Sequence, residues 1–113
     1  QAFVLSVLAA PDVVRHAVSL TTASRPNDPR APQPVRDYVS WGAGPRASQA
    51  LVIGAKARAA LHGRPHASRE DVDALAPAVL GHRVLTNFRA ESEGVRGLDI
   101  IAELVAQHRV GAR

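Results

Sequence analysis

The residues with the most chemical content lie in one short stretch, Gly42-Ala43-Gly44-Pro45-Arg46-Ala47-Ser48. Two glycines free the backbone to turn tightly, and Pro45 presets the first helical residue with its fixed φ. Proline carries no N–H, so the free donors at this helix start belong to Arg46, Ala47 and Ser48. Those donors, with the positive end of the helix dipole, attract an anion. Arg46 is a like charge on that positive end, which costs up to about 1 kcal/mol at an exposed site. A phosphate there would reverse the sign through a charge-assisted, bidentate contact. The competing reading is a glycine-rich loop whose arginine stem packs on Trp41 or Tyr38. No G-x-x-x-x-G-K-[ST] loop occurs in the chain, so it lacks the parts that hold a nucleotide unaided.

Other chemical candidates are weaker. His62 and His66 are separated by Gly63 and Pro65, do not share a helix face and have no third ligand, so no metal site is expected. Arg25 reads as a helix-end arginine satisfying carbonyls, with a phosphate or interface contact as the alternative. His82-Arg83 is expected to pack beneath the turn or to meet a neighbouring subunit. Glu70, Asp71 and Asp73 favour a helix N-terminus rather than a catalytic carboxylate pair. Glu91 and Glu93 read as a solvated loop.

The elements that must position the turn are helical. Strand signals are scarce, and Val13, Val14, Ala17, Val18 and Thr21 recur at helical spacing, predicting a helix over 12–23 opened by Pro11. Residues 1–10 are apolar and fit a helix or an extended arm. Pro26, Pro29, Pro32 and Pro34 make 24–37 a loop, followed by a short extended piece at 38–41. A helix from Pro45 to Leu61, stopped by Gly63, carries Ala47, Ala50, Leu51, Gly54, Ala57 and Leu61 on one stripe. Ser68 and Asp71 form a capping box for a helix that points Val72, Leu75, Val79 and Leu80 inward. Pro77 is expected to kink or divide that helix. Gly94 and Gly97 mark a break before a last helix with Leu98, Ile101, Ala102, Leu104 and Val105 apolar. The fold class is all-α: a small bundle of about four helices with one long proline-rich loop.

Length and composition agree with a single domain. The chain has 113 residues, 46% of them hydrophobic and 21% charged, which excludes a disordered chain. No apolar run is long enough to span a bilayer. Cysteine is absent, which fits a reducing cytoplasm and removes thiolate chemistry. The formal charge is +4, and of the 14 Lys and Arg residues all but Lys56 are arginine. These arginines are scattered, and basicity alone is a weak argument for nucleic-acid binding. A start at Gln1 without any methionine suggests a piece of a longer polypeptide.

The turn resembles the G-A-S-P-R-A sensor-two turn of MoxR-type AAA+ ATPases. Gly63-Arg64-Pro65-His66-Ala67-Ser68-Arg69-Glu70-Asp71-Val72 is similar to that family's G-R-x-x-V-x-x-x-D-V, and Leu75 to Arg83 to its L-A-x-x-V-L-x-H-R. Ala23-Ser24-Arg25 resembles its A-T-R, and Glu93-Gly94-Val95 its E-G-V. The pieces fall in family order over about residues 11–105. Gly44 stands for the usual serine, Ala67 for a branched residue and Arg69 for a common proline.

The resemblance implies an AAA+ lid domain at 11–110, with 1–10 as an arm or linker from an ATPase core. It implies that Arg46 is the catalytic sensor of the ATP γ-phosphate, with Arg46, Ala47 and Gly44 at the nucleotide. ATP and Mg2+ would be held mainly by the core, so this chain alone would be inactive. Implied partners are that core, neighbouring subunits of a homo-oligomeric ring, and a von Willebrand type A domain protein. A stand-alone helical DNA-binding module of helix-turn-helix-like form and a plain protein-interaction bundle are the alternatives. The DNA module is disfavoured because the helix over 45–61 is largely apolar and small.

Overall fold

Four long helices come from the four periodic segments of the sequence. In the computed structural model, which describes residues 8–111 with side chains through His108, they are α1 (Pro11–Ala23), α3 (Pro45–Leu61), α4 (Arg69–Gly81) and α6 (Gly97–Gly111). Two short helices, α2 (Gln33–Tyr38) and α5 (Phe88–Glu93), sit between them. Four short strands complete the described residues: β1 (Leu8–Ala9), β2 (Val39–Trp41), β3 (His66–Ala67) and β4 (Leu85–Thr86). The expectation for 1–10 falls mostly on residues outside those described. Within it, Leu8 and Ala9 are extended and pair in parallel with His66 and Ala67. The β2 strand pairs antiparallel with β4, matching Trp41 to Leu85.

The loop expected over 24–37 is shorter than that. Pro34 falls in the first turn of α2, where its missing N–H is not needed, so four prolines still permit a helix after Pro32. Pro77 does not divide α4, which runs unbroken through it. The helix is held on both sides, by α3 and α6, and that packing outweighs the single backbone bond a proline removes. Glu91 and Glu93 lie in α5 rather than in a loop.

The core is built from small side chains around a few large ones. Leu20, Leu51, Val72, Leu80, Ile101 and Leu104 are fully buried, and Ala17, Ala47, Ala55, Ala59 and Ala76 fill the space between them. Along α3 the inward row is Ala47, Leu51, Ala55, Ala59, stepping by four. The expected stripe ended on Leu61, which is 87% exposed. Rows of i±4 residues form a ridge that packs into a neighbouring helix. In a helix this rich in alanine the sequence does not show which row that is. Val35, Val39, Ala31 and Ile100 make a second, smaller core that seats α2 and β2.

Candidate functional site

The turn at 42–44 is held by the residues that end α1. A side chain at Gly42 would place its Cβ 2.6 Å from the Arg25 Cα and 2.7 Å from the Ser24 carbonyl oxygen. Only glycine permits that approach. Ala43 is buried, and both its backbone groups are taken. Its N–H donates to Ser24 Oγ at 3.1 Å, and its carbonyl accepts from Arg25 Nε at 3.0 Å. Ser24 Oγ in turn donates to the Thr21 carbonyl at 2.6 Å. The Arg25 side chain therefore satisfies a carbonyl of the turn, while its backbone N–H donates to the Thr22 carbonyl at its own helix end at 3.0 Å. Arg25, Pro26, Asp28, Trp41 and Pro45 border a groove of about 530 Å3 beside the turn.

This clamp delivers an open helix start. Gly44 is the N-cap of α3, with extended backbone and no side-chain cap bond, and the first turn holds no acidic residue. Glycine has no side chain to cap the first turn, which leaves the positive end of the helix uncompensated. Of the three donors expected to be free, the Ala47 N–H is engaged, donating to the Gly44 carbonyl at 3.0 Å. The Ala47 side chain faces the core, so its reach toward a ligand is smaller than the sequence suggested. Arg46 is exposed and has no hydrogen bond or ion pair among the described residues. Tyr38, offered above as a resting place for its stem, instead lies under Arg89, 5.3 Å from the ring centre, and donates its hydroxyl to Glu93.

The other end of α3 carries the opposite arrangement. Asp71 is fully buried, with Arg58 Nη1 and Arg64 Nη2 each donating to Oδ1 at 2.6 Å. Arg64 Nη1 (2.9 Å) and the Ser68 N–H (2.8 Å) donate to Oδ2. The Arg64 guanidinium, with the Ser68 and Arg58 donors, holds the Asp71 carboxyl far below the usual carboxylate range despite its burial. This knot joins the end of α3 to the start of α4, so Arg64 and Asp71 of the G-R…D-V stretch are structural. Their role was not read from the sequence, although the capping box at Ser68 and Asp71 is present as expected. The partner of Asp73, read from the sequence only as a helix-start acid, was likewise missed. Asp73 accepts from or shares a proton with His16 Nε2 at 2.6 Å, and both residues are buried. Fifty-seven positions separate the pair, and no local spacing signals it.

Several other candidates resolve plainly. His82 and Arg83 are exposed at the end of α4, and Arg83 donates to the Val79 carbonyl, so they do not pack beneath the turn. His62 and His66 are exposed and lie on either side of Gly63, whose φ of +70° ends α3. Among the described residues no group of three metal-ligating side chains comes together. No helix among them is long and apolar enough to cross a membrane.

Comparison with known proteins agrees with this architecture. The pattern of the AAA lid domain family matches residues 34–104. Chaperone MoxR1 of Mycobacterium tuberculosis is 30% identical over 96 residues, covering 80% of this chain and 26% of its own. The uncharacterised protein YeaC of Bacillus subtilis is 36% identical over 72 residues, covering 64% of this chain and 22% of its own. A crystal structure of a protein provisionally named an ATPase, from Cytophaga hutchinsonii, superposes with a TM-score of 0.86 at 27% identity. It covers 93% of this chain and 32% of that one. The chain thus spans about a fifth to a third of the length of these relatives. With the clamped turn, the helical bundle and the ordered motifs in agreement, the chain belongs to the AAA lid domain family, in its MoxR-like form.

Proposed function

We propose that this chain is the lid of an ATP-hydrolysing ring, and that Arg46 reads the γ-phosphate of ATP held by a core domain elsewhere in the polypeptide. The observation that carries the reading is the state of Arg46: exposed, unpaired, and set on an uncapped positive helix end that a buried clamp holds in place. A guanidinium so placed is repelled by its own helix and gains most when a phosphate oxygen bridges it to the helix start. In phosphoryl transfer such a group neutralises charge that develops on the transferred oxygens. The Arg46 and Ser48 N–H groups and the Gly44 backbone lie at the same end, whereas Ala47 serves to seat the helix.

Coupling follows from the clamp. Ser24 and Arg25 tie the turn to α1, so a pull on Arg46 is felt at the end of α1 as well as along α3. Loss of the γ-phosphate removes the partner and releases the lid to rotate as a body. The core supplies the Mg2+ and most phosphate contacts, and copies of the same polypeptide supply the ring. A client bearing a von Willebrand type A domain rests on the resemblance alone.

The test is Arg46→Ala in the intact polypeptide. ATP turnover is expected to fall at least about tenfold while ADP affinity changes little, because ADP lacks the group that Arg46 reads. Equal turnover in variant and parent would end the proposal. The 113-residue chain alone is expected to show neither hydrolysis nor tight nucleotide binding.

A further inference from the structure

A second basic hollow lies on a different face of α1 from the one that meets α3. It is an open hollow of about 630 Å3, lined by Arg15, His16, Arg30, Arg69, His108 and, as its carboxylate, Asp12. The three guanidiniums come from three elements: α1, the loop after it and α4. Arg15 and Arg69 have no ion-pair partner among the described residues, and Arg30 reaches Asp28 through Nε at 3.2 Å. The floor is rigid. His16 is only 6% exposed, and Asp73 holds its Nε2, which turns Nδ1 toward Arg69 Nη2 at 3.5 Å. Beside it His108 Nε2 meets Ser19 Oγ at 3.3 Å, and burial pushes the His108 pKa down.

We propose that this hollow is a second anion site, built for a phosphate-type oxyanion that is either free or esterified. Three arginines line one hollow with Asp12, and Arg15 and Arg69 have no ion pair among the described residues to offset their charge, so an anion gains by sitting beside them. Each guanidinium presents a planar fork of donors, and forks supplied by three separate elements suit a group with several peripheral oxygens. The hollow exceeds the volume of a bare phosphate, which leaves room for an ester substituent. The buried His16–Asp73 pair fixes the wall that Arg69 leans on, while Arg15 and Arg30 reach the hollow from exposed positions. It shares no residue with the turn at Arg46.

The experiment is calorimetric titration of the intact polypeptide with inorganic phosphate and, separately, with O-phosphoserine. A slowly hydrolysed ATP analogue is kept saturating, so that neither probe enters the nucleotide site. Saturable binding is expected. Arg15→Gln combined with Arg69→Gln should weaken it at least about tenfold, with circular dichroism unchanged because both residues are exposed. Arg46→Ala should leave it intact, which separates this site from the proposed nucleotide sensor. Tighter binding of phosphoserine assigns an esterified ligand, and tighter binding of phosphate a free ion. The proposal is overturned by the absence of saturable binding, by equal binding in the double variant, or by loss of binding in Arg46→Ala.

Discussion

Helix α3 carries an arginine near each end, and the two are treated in opposite ways. Arg58, in its last turn, is bonded to a buried carboxylate that also accepts from Arg64 and Ser68. Arg46, in its first turn, faces solvent without a partner among the described residues. The first placement agrees with the helix dipole, since a cation belongs near the negative end; the second opposes it. A charge whose needs are met within the fold holds the fold together. One left unmet against the local field is available to something that arrives from outside.

Substitutions can break or sharpen this contrast, and the largest effect on stability is expected at the satisfied end. Asp71→Ala leaves two guanidiniums without their carboxylate and should lower unfolding free energy by about 3 kcal/mol, measured by urea denaturation. The same residue sets an acid limit. Its folded pKa is depressed, so its contribution is full above the unfolded carboxylate range of about pH 4 and is lost as pH falls below it. Asp71→Asn should flatten that part of the stability–pH curve, and an unchanged acid slope would remove the knot from the account.

Next come the residues that hold the turn. Gly42→Ala forces a Cβ against backbone of Arg25 and Ser24, and is expected to cost about 1–3 kcal/mol in thermal unfolding and to lower ATP turnover in the intact polypeptide. Ser24→Ala leaves the buried Ala43 N–H without its acceptor, for a loss of about 1–2 kcal/mol. The smallest change should come from Arg46→Ala, within about 0.5 kcal/mol of the parent in the same melts. A large loss of stability there would mean that Arg46 is structural after all, and the contrast between the two ends would disappear.

Much of the frame was legible along the chain. Pro45 and Gly63 bracket α3 at the expected ends, and Ser68 with Asp71 opens α4, because caps and stops act over a few residues of backbone. The motif order around Arg46 pointed to the family. Less visible were the inward row of α3, where nearly every candidate is alanine, and the short helix after Pro32. Arg25 and Asp71 were noticed but given local roles, as a helix-end arginine and a dipole-favouring acid. Their actual partners, Ala43 and the pair Arg58 and Arg64, lie across turns or helices.

Local chain chemistry therefore determined where helices begin and end and put an arginine on a positive terminus. Which arginines are spent on the fold, and which remain for a ligand, was decided by helices packing against one another. That packing brings Ser24 to Ala43, His16 to Asp73 and three guanidiniums to one hollow. Such contacts depend on distances across the bundle, and residue types and spacing along the chain do not encode them one by one.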